Sequence, residues 1–267
     1  MSPAPMSHVE TIRHGDIVEL KLARPPVNAL DPALCRDLRH ALEAALVGDA
    51  RGIVLSGAPK IFSAGLDVPY LLGLGDDREA LTAAWQAFFG VARALAACPV
   101  PVVAALTGHA PAGGCVYALC CDYRIMAAGD FRIGLNETQV GLVAPEGIQR
   151  LMRRVVGPHR AERMLVAGEM VDAARALQIG LVDELVDAGA VDGPTHDPDA
   201  VSRRAREWLQ TLLVLPPEAM RHTRQIARAA VIEALQPEHI DLERFVNAWM
   251  EPGTQAALHA LVARLKK

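Results

Sequence analysis

The sequence predicts an α/β core followed by a helical C-terminal segment, and three observations carry that expectation. Apolar, β-branched runs alternate with stretches of helical periodicity as far as about residue 190. A polar joint rich in Gly and Pro then interrupts the alternation, and everything beyond it repeats with helical spacing. The chain of 267 residues is 51% hydrophobic but only 4% aromatic, a balance that suits Ala- and Leu-rich helices packed on Val-rich strands. Residues 1–190 are therefore read as the core and 191–267 as a helical subdomain.

Ile17-Val-Glu-Leu-Lys-Leu22 alternates as a half-buried strand does, and Arg24-Pro-Pro-Val-Asn28 stops it. Asp31 before Pro32 places a capping acid ahead of a proline in the first helical turn; Leu34, Leu38, Leu42 and Leu46 then share one helix face. Arg51–Ser56 reads as a second strand, Arg78–Cys98 as a helix and Val100–Leu106 as a third strand, with a further helix opening after Ala112. Asp183–Asp187 is the last strand-like run before the joint, Asp187–Pro198. Helical patterns follow at 199–209, Pro217–Leu235, Ile240–Met250 and Thr254–Lys267. Strand and helix in alternation imply right-handed crossovers and a mostly parallel sheet.

Composition narrows the function. A net charge of −4 gives no reason to expect nucleic acid as a partner. Five cysteines, an odd number without Cys-x-x-Cys spacing, read as reduced thiols and offer no metal site. The opening residues lack the pattern of a secretory or transit peptide, and no run reads as a membrane span. The expectation is a soluble cytoplasmic protein that does not bind membranes.

Chemistry concentrates in three places. Between Phe131 and Pro145 the only carboxylate is Glu137, the candidate catalytic base. Upstream, Phe62-Ser-Ala-Gly-Leu-Asp67 follows a strand, and its glycine allows a turn whose N–H groups converge on a bound atom. Ala64 is the expected donor there. Pro111-Ala-Gly-Gly-Cys115 lies between a strand and a helix, so the Gly113 N–H sits at a helix N-terminus, where orphan donors and the dipole favour an anion. Either turn alone is an ordinary strand–helix connection. A base together with two donors describes enolate chemistry.

These segments also carry a resemblance. Arg24-Pro-Pro-Val-Asn-Ala-Leu30, Phe62–Asp67, Pro111-Ala-Gly-Gly-Cys115 with Ala118-Leu119 and Cys121-Asp122, Gly134-Leu-Asn-Glu-Thr-Gln139 with Gly141, and Gly180-Leu-Val-Asp183 stand in the order and spacing of the crotonase superfamily. Within that superfamily the chain looks most like the mitochondrial-type Δ3,Δ2-enoyl-CoA isomerases. The resemblance implies a spiral of β-β-α units and acyl-CoA thioesters as substrates, with no separate cofactor. It also implies a homotrimer or dimer of trimers, with the C-terminal helices serving trimerisation and covering the active site. Carried over to this chain, substrate contacts fall on Ala64, Gly65, Leu66, Asp67, Val68, Gly113 and Asn136. Phosphate contacts fall on Arg264, Lys266 and Lys267, which read equally as a solvated basic helix end.

One departure is informative. Hydratases that resemble this chain carry a glutamate directly after Gly-Gly-Cys, where Val116 stands here. Hydration needs two carboxylates, whereas an allylic shift of a 3-enoyl-CoA double bond to the 2-trans position needs one base. Glu146 is the candidate second acid; if it reached the pocket, hydratase activity would return, and otherwise it offsets the dipole of the helix that follows. A third reading is an acyl-CoA binder without turnover. Cys115, Cys120 and Cys121 lack a His partner and read as structural, and His109 reads as a backbone hydrogen-bonding residue.

Overall fold

The computed structural model describes residues 7–265. Its chain winds between two sheets. The larger has six strands in the order β1-β2-β3-β5-β7-β10, and the smaller has four in the order β4-β6-β8-β9. β1 (Val9–His14) runs antiparallel to β2 (Ile17–Leu22), and β3 (Gly52–Ser56), β5 (Val102–Leu106), β7 (Tyr123–Ala127) and β10 (Glu184–Val186) continue in parallel. Each strand β3, β5 and β7 is followed at once by a short strand of the second sheet: β4 (Lys60–Ile61), β6 (Gly108–Pro111) and β8 (Arg132–Gly134). Helices then return the chain, which produces the expected spiral of β-β-α turns. β9 (Met170–Asp172) closes the small sheet antiparallel to β8.

The sequence did not reveal β1. Five of its six residues are exposed, so it carries no alternation and forms a sheet edge by backbone pairing alone. β4, β8 and β9 were also missed, each too short to show a period.

α1 (Pro32–Val47) begins where Asp31 accepts the Leu34 N–H at 2.8 Å, and it buries Leu34, Leu38 and Leu42. α2 (Val68–Gly73) and α3 (Arg78–Ala96) follow β4, and α3 packs against α1. α4 (Gly113–Cys120) is buried along its whole length. α5 (Glu146–Val156), α6 (Pro158–Ala167) and α7 (Ala173–Gln178) complete the spiral.

Beyond the joint, α8 (Ala200–Leu213) lies on the open face of the large sheet, where Val201, Ala205 and Leu209 meet Ile17, Val54, Val103 and Ile125. A buried acid fastens it: Glu19 of β2 accepts from Ser56 Oγ at 2.6 Å, Ser202 Oγ at 2.8 Å and Arg206 at 3.2 Å. The run expected as one helix from Pro217 to Leu235 is two, α9 (Pro217–Ala227) and α10 (Ala229–Ala234). They divide at Arg228, whose buried guanidinium reaches Asp122 and the carbonyls of Ala96 and Cys120. α11 (Pro237–Ile240) and α12 (Leu242–Met250) bring Phe245 and Trp249 onto Trp85 of α3, with ring centroids 4.3 and 5.9 Å away. α13 (Pro252–Leu265) then returns to pack on α2 and on the turn that holds Glu137.

Candidate active site

Glu137 opens a single 3-10 turn, Glu137–Val140, just after β8. Gly141 ends it with φ +78°, a conformation suited to glycine, and a Cβ there would also press on Thr254 of α13. The turn is fastened on three sides. Thr138 Oγ1 donates to the Leu165 carbonyl at 3.3 Å, Gln139 Nε2 to that of Gly168 at 2.8 Å, and Thr254 Oγ1 to that of Gly141 at 3.2 Å.

Glu137 is half-buried as a residue, and its Oε2 is inaccessible with no hydrogen-bond partner among the described residues. Burial without a cation raises its pKa from an ordinary 4.5 to about 7, against a small opposing pull from its own amide. A buried, unpaired carboxyl is costly to keep, and catalytic bases are a common reason for keeping one. The Cys115 thiol, held far above its usual range first by burial, is pushed further by the Glu137 charge.

The two glycine turns meet at the same place. A Cβ on Gly65 would lie 3.1 Å from the Gly113 nitrogen, and one on Gly114 would lie 2.8 Å from the Ser63 carbonyl oxygen, so only glycines allow the approach. The Pro111 turn reaches Glu137 through the small sheet: β6 pairs with β8, Pro111 opposite Gly134, and the Ala112 N–H donates to the Gly134 carbonyl at 2.9 Å. Ala112 has φ +45° and ψ −115°, a strained geometry for a residue with a side chain, and it sets the Gly113 N–H free at the helix start. Among the described residues that N–H has no acceptor.

In the other turn the structure corrects the expected donor. The Ala64 N–H donates to the Val27 carbonyl at 2.9 Å and is unavailable. Ser63 N–H donates to His109 O at 3.3 Å, Gly65 N–H to Ser63 Oγ at 3.1 Å and Asp67 N–H to Leu30 O at 3.2 Å. Within the turn, Leu66 alone has an N–H with no acceptor among the described residues. Its direction follows from the trans peptide: the Gly65 carbonyl accepts Leu30 N–H at 2.8 Å, so the Leu66 N–H points to the opposite side.

Asp67 caps α2 by accepting the Tyr70 N–H at 2.9 Å, and it pairs with Arg24 at 2.8 Å; Arg24 also reaches Asp31 at 3.1 Å. This joins the 24–31 loop to the turn that carries Leu66. Val68 starts α2. Asn136 precedes the Glu137 turn, and its side chain makes no capping bond. His109 Nδ1 accepts the Arg132 N–H at 3.0 Å, a backbone contact.

Val116 is buried in the core face of α4. Glu146 lies apart from Glu137. It opens α5 at the surface and accepts from Arg150 at 2.8 Å, with His239 at 3.6 Å. The Arg150 hydrogen bond holds its carboxyl below the usual range, the reverse of Glu137. The structure thus does not bring it in as a second buried acid. The Glu146/Arg150 spacing of i, i+4 is legible in the sequence and would have signalled a surface pair. Arg264 is exposed, while Lys266 and Lys267 fall outside the described residues.

Two touching glycine turns, tied through the small sheet to the turn that carries a buried acid, fit the crotonase type of acyl-thioester site. The family model for enoyl-CoA hydratase/isomerase matches residues 13–261, and the chain belongs to that family. It is 33% identical over 264 residues to the mitochondrial enoyl-CoA delta isomerase 1 of Mus musculus, covering 97% of this chain and 87% of the relative. A probable enoyl-CoA hydratase of Mycobacterium tuberculosis is 36% identical over 203 residues, 75% of this chain and 72% of the relative. The crystal structure of human mitochondrial delta3-delta2-enoyl-CoA isomerase superposes with a TM-score of 0.87 at 30% identity, covering 97% of this chain and 98% of that one. No described helix is long and apolar enough to cross a membrane.

Proposed function

We propose that this protein is a Δ3,Δ2-enoyl-CoA isomerase that works with one base. The observation that carries the reading is the buried carboxyl of Glu137, its pKa raised to about 7 by burial, while the candidate second acid Glu146 lies at the surface. Ionised Glu137 removes a proton from C2 of a 3-enoyl-CoA. The electron pair passes into the thioester carbonyl, giving a dienolate whose oxygen lies between the N–H groups of Leu66 and Gly113. The α4 N-terminus adds its dipole at the same point. Glu137 then returns the proton to C4, leaving the 2-trans double bond conjugated with the carbonyl.

Each N–H donor contributes about 3–4 kcal/mol to such a transition state. Val116 in place of an acid keeps water from being activated on the opposite side of the substrate. Val68, Gly65, Asp67 and Asn136 complete the proposed substrate contacts, Asp67 through the turn it fastens. An acyl-CoA of fatty-acid breakdown, a cytoplasmic location and assembly as a trimer or dimer of trimers belong to the same proposal; sedimentation reads the last.

The test is product identity. Incubation with 3-cis- or 3-trans-enoyl-CoA should give 2-trans-enoyl-CoA, seen as the conjugated thioester absorbance. Hydratase relatives support a second reading, in which Glu137 and Glu146 together hydrate a 2-enoyl-CoA. Loss of crotonyl-CoA absorbance that depends on Glu146 would favour it over isomerisation. Binding of acyl-CoA with neither change would leave a non-catalytic binder.

A further inference from the structure

The oxyanion reading accounts for Leu66 and Gly113 but leaves a buried hydroxyl between them unused. Ser63 is inaccessible to solvent, packed where the two glycine turns touch. Its Oγ donates to the Asn28 carbonyl at 2.8 Å and accepts the Gly65 N–H at 3.1 Å. Asn28 is buried too, with φ +49°. Its side chain accepts the Arg24 N–H at 2.9 Å and donates to the Phe62 carbonyl at 3.1 Å. The 24–28 loop is thereby tied to the start of the turn.

Resting on the oxyanion reading above, we propose that Ser63 is a positioning residue that aims the Leu66 N–H at the developing oxyanion. Gly65 has φ +81° and no side chain, so nothing in its own chemistry holds the peptide that follows it. Two hydrogen bonds fix the peptides on either side of Gly65 instead. Leu30 N–H grips its carbonyl, and Ser63 Oγ grips its amide. Without the hydroxyl the Gly65 N–H is left buried and unpaired, and the turn rotates to find another acceptor. The Leu66 N–H turns with it. The Asn28 carbonyl in turn fixes the Ser63 hydroxyl as an acceptor towards Gly65, since its one proton is already committed.

The experiment compares the unsubstituted protein with Ser63→Ala and Ser63→Cys. Three quantities are read: kcat and KM for a 3-enoyl-CoA, the melting temperature, and the absorption of a bound 2,4-dienoyl-CoA, which moves to longer wavelength when its carbonyl is polarised. Ser63→Ala should lower kcat by about 10- to 100-fold with KM within about threefold, and shrink the dienoyl shift, because small misplacements of a donor are costly in the transition state. Ser63→Cys, of similar volume with a weaker acceptor, should fall between, and it carries the comparison alone where the alanine variant does not fold. A lower melting temperature with unchanged kcat and a full dienoyl shift would overturn the proposal and leave Ser63 a packing residue. No dienoyl shift in the unsubstituted protein would overturn the oxyanion reading itself, and the role of Ser63 with it.

Discussion

Glu137 and Glu146 stand on one stretch of chain, yet the protein treats them oppositely. The first opens a turn packed against α6 and α13, and its Oε2 is buried with no hydrogen-bond partner among the described residues. The second opens α5 in solvent with Arg150 one helical turn ahead. Burial raises one pKa and an arginine lowers the other. The lesson is that side-chain identity does not make a base; desolvation without compensation does.

Replacing each acid is the sharpest way to break that comparison. Glu137→Gln should lower kcat by about 10^3- to 10^4-fold in the 3-enoyl-CoA assay, since a general base of this kind is worth that much. A variant with ordinary turnover would remove Glu137 from the mechanism. Gly113→Ala tests the partner of the base. Its new Cβ would meet Phe88 at 3.0 Å and Leu30 at 3.1 Å, so kcat should fall about 100-fold, with about 1–3 kcal/mol of stability lost in denaturant melts.

The pH profile follows from the raised pKa. Glu137 acts ionised, so kcat/KM should climb about tenfold per pH unit up to about 7 and level off above it, with no further limb from Glu146. Stability runs the other way. The folded pKa, about 7, exceeds the ordinary 4.5, so the favourable contribution of the protonated form is complete below about pH 4.5 and lost as pH rises through about 7. Glu137→Gln should therefore gain melting temperature relative to the unsubstituted protein as pH rises across that window. Equal melting curves at pH 5 and 8 would contradict the buried assignment. The smallest effect belongs to Glu146→Gln, for which isomerisation should change less than about twofold, as expected of an exposed ion pair.

Much of the site was legible, because glycines next to strands and one acid in an uncharged stretch are local signals. Glu137, Gly113 and the Leu34–Leu38–Leu42 face of α1 needed nothing else. The choice between Ala64 and Leu66 could not be made locally. It depends on which carbonyls arrive from the 27–30 loop: that of Val27 engages the Ala64 amide and that of Leu30 the Asp67 amide. Likewise β1 exists because β2 offers it a free edge, and the break at Arg228 answers Asp122, far away in sequence. The spiral itself came from the resemblance, since strands of two or three residues carry no periodicity.

The seat of α13 on the Glu137 turn has a consequence for synthesis. Thr254 meets the Gly141 carbonyl across 113 residues of sequence, so one fastening of the turn is translated long after the turn itself. A nascent chain that already displays both glycine turns and Glu137 still lacks it.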